Sequence, residues 1–202
     1  MGESVNTSYI SNFLTNVIFR IDFPKVLGLG ITAPPVEFQE KIKDIFPILE
    51  EKPGRFIEMA VPKARSEEEI KVVQEELIKW DFINKERTKT VVVTQDFISL
   101  EYSRYKSFDE FNHDIESAIR PFFDIYNAIK VVNRIGLRYI NQIKIPIGDP
   151  FDWNNLINPS MFSVVREFVK GEYKKSVKRC VQSLDMKEKD SAIRLRFGLF
   201  KS

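Results

Sequence analysis

Six cations in the C-terminal part of the chain carry the strongest chemical pattern: Arg134 and Arg138, Lys175 and Arg179, and Arg194 and Arg196. Within each pair the separation is even, so in extended backbone both side chains leave the same face, at steps of about 7 Å. Such spacing suits successive phosphates of a nucleic-acid backbone, contacts that position a protein without reading bases. Two other readings stay open: an ordinary solvated face, and a surface that docks an acidic protein.

Other reactive side chains are sparse. The chain has one cysteine and one histidine, too few for a zinc site or a thiol-histidine pair. His113, between Asn112 and Asp114, has Asp109 and Glu116 within helical reach but reads as an exposed helix residue. Cys180, after Lys178-Arg179, reads as a structural thiol, and Glu50-Glu51 and Glu67-Glu68-Glu69 as solvating charge. Gly28-Leu29-Gly30 lacks the lysine of a P-loop and the third glycine of a dinucleotide fingerprint. Trp80, Trp153, Tyr102, Tyr105 and Tyr139 could stack on bases if exposed, and are read as packing. No catalytic residue, metal ligand or cofactor is expected.

The elements that must position the cations follow from periodicity. Val17, Phe19, Ile21 and Phe23 alternate with polar residues as in a half-buried strand. After Pro34-Pro35, Phe38, Ile42, Ile45 and Phe46 share a helical face that Pro47 ends. Phe56 to Val61 predicts a short strand, and Ser66 before three glutamates a helix start. Leu77 to Asn84, Lys89 to Gln95 and Phe97 to Ser103 predict an antiparallel meander around the turn Lys85 to Thr88. Ser107 and Glu110 form a capping box that opens a long helix over 107–127. Phe108, Phe111, Ile115, Ala118, Ile119 and Phe122 make its core face, and Pro121 should kink it. Val131 to Ile145 predicts a strand at the centre of the sheet, with Ile135, Leu137, Tyr139 and Ile143 facing away from Arg134, Gly136, Arg138 and Ile140. Strands over 173–184 and 192–200, around a polar turn at 185–190, predict a basic hairpin. The fold class is α+β: mainly antiparallel sheet with the capped helix packed on one face. One domain is expected, or two intimately joined halves.

Charge sorts these elements. The formal net charge of +2 hides 16 basic against 22 acidic residues over 1–129 and 15 against 7 over 130–202. The basic half, 130–202, is the candidate for an anionic polymer, and the acidic half, 1–129, for solvent or a protein partner. No apolar run approaches the roughly 20 residues of a membrane span. Met1 to Tyr9 lacks a basic stretch followed by an apolar one, so a secretory signal is not expected and a cytoplasmic setting is.

Three stretches carry a family resemblance: Val93 to Leu100, Tyr105 to Phe111, and Asn133-Arg134-Ile135-Gly136-Leu137-Arg138-Tyr139-Ile140-Asn141, the most specific. With Val17 to Pro24, they resemble a sporadically distributed prokaryotic family of uncharacterised proteins, from which 25–90 and 146–190 depart. The resemblance transfers no catalytic site. Its members are usually longer, with a further strand and helix after the segment equivalent to Leu195 to Leu199, which implies a shortened version or a fragment. In architecture and composition the chain is also similar to the accessory subunits of short prokaryotic Argonautes. That similarity implies a non-catalytic protein in antiviral defence that helps clamp a duplex through its phosphates. The expected function is therefore a nucleic-acid- and protein-binding accessory subunit, with a short Argonaute as one possible protein partner. The alternatives are a hydrolase or nuclease with an unrecognised carboxylate site, and a pure protein-interaction module.

Overall fold

The computed structural model describes residues 13–29, 34–59, 72–144, 158, 161 and 179–200. Contacts divide the chain into two units, Met1–Ile143 and Lys144–Ser202. Arg134 and Arg138 therefore belong to the first unit, although the charge division places them in the basic half.

The first unit is built on a six-stranded antiparallel sheet. Its strands are β1 (Leu14–Asp22), β2 (Ile48–Met59), β3 (Val72–Ile83), β4 (Lys89–Val93), β5 (Phe97–Tyr102) and β6 (Arg134–Asn141), in the order β2-β3-β4-β5-β1-β6. The meander is β3-β4-β5, with β2 and β3 longer than the sequence suggested. The expected helix start at Ser66 lies outside the described residues. Val17, Phe19 and Ile21 face Tyr102, Leu100 and Ile98 on one side, and Tyr139, Leu137 and Ile135 on the other. Directly opposed residues share a face, so these nine side chains define one surface of the sheet. Helix α1 (Val36–Ile42) and the capped helix pack against that surface, burying Phe38, Ile42, Phe111, Ala118, Ile119 and Phe122 among its apolar residues.

The capped helix runs as α2 (Phe108–Asp114), a π-helical turn (Ile115–Ile119) and α3 (Arg120–Ile125). Half of the expected capping box forms: the Ser107 hydroxyl accepts the Glu110 amide at 3.2 Å, while the Glu110 carboxylate turns to Lys89. Pro121 is absorbed differently. It lacks an N–H, and the wide π turn immediately before it interrupts the ordinary ladder, so helical backbone continues to Ile125. Phe108 is exposed rather than core. It is the first helical residue, and Tyr105, ahead of the cap, sets its own ring against Phe111 at 5.9 Å.

β6 is an edge strand, not a central one. β5 and β6 are both antiparallel to β1, so the helical connection between them crosses β1 and lays β6 along its free side. Among the described residues no strand pairs with the outer edge of β6.

The turn between β3 and β4 shows how local chemistry fixes register. The Asn84 side-chain oxygen accepts the amides of Thr88 and Lys89, both at 2.8 Å. Its amide nitrogen donates to Glu86 and Thr88. Arg87 adopts the left-handed region at φ 53°, which costs a residue with a Cβ. Asn84→Ala removes all of these bonds at a buried position and is expected to destabilise the protein by about 2 kcal/mol, read as a lower urea midpoint at unchanged slope.

Candidate functional site

The six sequence-predicted cations fall into different circumstances. Lys175 lies outside the described residues. Arg134 and Arg138 stand on the helix-free face of β6, beside Gly136. Arg134 Nε donates to Asp22 Oδ2 at 2.9 Å, and Arg20 Nε to Asp22 Oδ1 at 2.7 Å. One β1 carboxylate thus binds two guanidiniums. Arg138 lies across from Ile18 and has no carboxylate within ion-pair distance among the described residues.

The remaining three lie on the hairpin of the second unit, β7 (Arg179–Glu188) and β8 (Ser191–Phe200). The strands run closer to the tip than the expected 185–190 turn allowed. The connection is just Lys189 and Asp190, with Lys189 left-handed at φ 50°. Pairing is close enough that a Cβ on Gly198 would sit 2.0 Å from the Cys180 carbonyl oxygen, so this position of β8 requires glycine.

Register sorts the hairpin by face, with Val181 joining the more polar side and Gln182 and Glu188 the other. Arg179, Ser183, Asp185 and Lys187 share one face with Arg194 and Arg196. Leu184, Met186, Ile193 and Leu195 share the other and are exposed. The polar face thus holds four cations and one carboxylate. Arg194 grips that carboxylate with two hydrogen bonds to Asp185, 2.7 and 3.0 Å long, and this contact holds Asp185 below the usual carboxylate range. Lys187 was missed because the sequence placed it in a turn. Alternation with Asp185 and Ser183 was the signal that could have found it.

A second cluster, not anticipated, ties the sheet to the capped helix. Lys89 Nζ meets Asp114 Oδ2 at 2.7 Å and Glu110 Oε1 at 2.8 Å. Tyr102, opposite Lys89 across the β4–β5 pair, donates its hydroxyl to the same Asp114 oxygen. His113 Nδ1 lies 3.3 Å from the other, its ring open to solvent as expected. Burial would raise the Asp114 carboxyl, but hydrogen bonds from Lys89, Tyr102 and His113 outweigh it and hold Asp114 below its ordinary value. Burial would likewise lower Lys89, yet its bonds to Asp114, Glu110 and Tyr102 keep it above the ordinary lysine range. Burial, with Asp114 second, pushes the Tyr102 hydroxyl up. Burial and the neighbouring Tyr139 push Tyr105 up to about 12. The groups are therefore held as a salt-bridged carboxylate, ammonium and neutral phenols, an arrangement that locks α2 to β4 and β5.

A groove of about 340 Å³ opens elsewhere on the helix-covered face, lined by Phe19, Ile21, Ile115, Glu116, Ile119 and Arg120. Its one carboxylate, Glu116, faces Arg120 at 3.5 Å. Among the described residues no three His, Cys, Asp or Glu side chains cluster as metal ligands, and no helix is long and apolar enough to cross a membrane. No family model, curated protein or solved structure matches the chain.

Asp114→Asn removes one of the two carboxylates that meet the Lys89 ammonium and leaves Glu110 as the other, and is expected to destabilise the protein by about 2 kcal/mol at neutral pH. A depressed carboxylate stabilises the fold above its unfolded value, about 3.9, and that contribution fades as pH falls through the lower folded value. Denaturant titrations of the two proteins should therefore converge as pH drops below about 4.

Proposed function

We propose that the chain is a non-catalytic accessory subunit that grips a nucleic-acid phosphate backbone through the polar face of the β7–β8 hairpin while another surface holds a protein partner. The observation that carries this reading is the segregation of the hairpin: Arg179, Lys187, Arg194 and Arg196 on one side, exposed aliphatic residues on the other. A two-stranded ribbon fits the major groove of a duplex, and cations at alternate positions meet phosphates at steps of about 7 Å. The Arg194–Asp185 pair does not cancel this face. It is solvent-exposed, where ion pairs are weak and screened by salt. Arg134 is engaged by Asp22, and the phosphate role depends on neither Arg134 nor Arg138.

The setting we propose is a prokaryotic cytoplasmic defence complex, such as a short Argonaute with its partner. It is supported by the similarity in architecture and composition to the accessory subunits of short Argonautes and by the uneven charge along the chain; the β6 nonapeptide resembles only a prokaryotic family of uncharacterised proteins. The exposed aliphatic face of the hairpin favours one competitor, a pure protein-interaction module that touches no nucleic acid.

Binding to labelled RNA, DNA and hybrid duplexes, followed by fluorescence anisotropy from about 50 mM salt upward, separates the two. Phosphate contact predicts an association constant that falls linearly with salt on logarithmic axes. Replacing Lys187 and Arg196 together by glutamate should then flatten the slope by about 0.9 per lost contact on a DNA duplex. Absence of binding at low salt, or an affinity that ignores these substitutions, would leave the interaction module as the better reading.

A further inference from the structure

The outer edge of β6 combines features that rarely coexist on an unprotected strand. It is eight residues long, without proline, and its helix-side row of Ile135, Leu137 and Tyr139 is 64%, 48% and 44% exposed. Edges of soluble proteins are ordinarily shortened, charged, bulged or covered. At the opposite end of the sheet β2 carries such protection, with Glu50, Glu51, Lys52 and Pro53 in succession. Among the described residues the contrast marks the β6 edge as one left open.

The inner edge of β6 shows what an incoming strand would need. There β1 sets Val17, Phe19 and Ile21 against Tyr139, Leu137 and Ile135, and on the reverse face sets Asp22 against Arg134. Apolar side chains thus oppose apolar ones on the helix side, while on the other face a carboxylate opposes Arg134 and Ile18 opposes Arg138. Arg138 remains on that reverse face without an acidic partner among the described residues.

We infer that β6 is a strand-addition site for an extended acidic segment of a protein partner, one in which aliphatic residues alternate with glutamate or aspartate. Main-chain bonds to the β6 edge supply affinity, as in other β-augmentation complexes. Aliphatic residues extend the Ile135-Leu137-Tyr139 row, and a carboxylate takes the place opposite Arg138 that Asp22 takes at Arg134. Charge selects the partner: a segment with lysines at the alternate positions would set like charges against Arg138. The inference rests on the protein-partner half of the proposed function and gives it a location; it is independent of phosphate binding.

The test uses the full chain and a fluorescein-labelled nonapeptide alternating valine or isoleucine with glutamate. The expected result is saturable binding with slowed amide exchange across 134–141. Affinity should fall at least tenfold in Arg138→Glu and in Leu137→Lys, both at exposed positions, with unchanged circular dichroism confirming that each folds. Arg138→Glu should regain binding to the lysine counterpart of the peptide. The Lys187→Glu, Arg196→Glu protein should bind the acidic peptide as the unaltered chain does, so loss of phosphate binding leaves this result intact. No saturable binding, equal affinity for acidic and basic peptides, or indifference to both β6 substitutions would overturn the inference. So would sedimentation showing a dimer that Leu137→Lys dissociates, because the edge would then belong to a second copy.

Discussion

The ring of Phe122 is the junction on which the first unit depends. It packs against Phe23, Phe38, Phe123 and Tyr126 at centroid separations of 5.6, 5.5, 5.3 and 4.8 Å. Phe23 follows the end of β1 and Phe38 sits in α1, so segments far apart in sequence are held by one buried side chain. Aromatic pairs contribute about 0.5–1.5 kcal/mol each beyond the area they bury. Eight residues earlier the same helix is fixed again, where Asp114 meets Lys89 and Tyr102. A helix pinned at two points must present both residues to the sheet at once. The π turn between them holds one extra residue per turn relative to the α-helical ladder, and it supplies the rotation that two anchors demand. Pro121 falls where that ladder is already interrupted.

The two anchors also decide what stays uncovered. The buried cluster extends from Phe82 and Trp80 through Val91, Leu100 and Val17 to Ile21, and excludes Ile135, Leu137 and Tyr139. A helix fastened over β4, β5 and β1 leaves Ile135 and Leu137 of β6 exposed and Tyr139 in contact with Tyr105 alone among ring neighbours of the described residues, and the groove beside Phe19 open. The exposure of β6 is thus a consequence of where the helix is tied down.

Much of this was legible in the sequence because the signals were local. Alternation placed β1, the meander and the division of the hairpin into a basic and an aliphatic face. Ser107 and Glu110 announced the helix start. What escaped was set by partners distant in the chain. The alternation of Arg134 and Arg138 with Ile135, Leu137 and Tyr139 describes a half-exposed strand, but whether its neighbours number one or two depends on the crossover above β1. The hairpin tip resembles a long turn in sequence, since Lys189 and Asp190 are not the Asn-Gly or Gly-Asp pairs that mark two-residue connections. The bond between Asp22 and Arg134 joins residues 112 positions apart, and no windowed reading brings them together. Nothing in the sequence around Asp114 reveals that Lys89 and Tyr102 converge on it.

Counting charges along the chain therefore differs from knowing where positive potential is available. In the first unit Asp22 sits between Arg20 and Arg134, so two guanidiniums and one carboxylate act locally as a single positive charge. The formal surplus of 130–202 includes Arg134 among its cations, yet its neutralising partner lies in the acidic half, on β1. In the hairpin the carboxylate is itself on the basic face, and its geometry matters more than its sign. A bidentate Arg–carboxylate contact holds the planar guanidinium in one orientation, leaving Lys187 and Arg196 beside it with no carboxylate of their own among the described residues. Two faces with similar arginine content thus differ in arrangement: on β6 the carboxylate lies across the strand pair, on β1, and on β7–β8 it lies on the same face as Arg194 and Arg196.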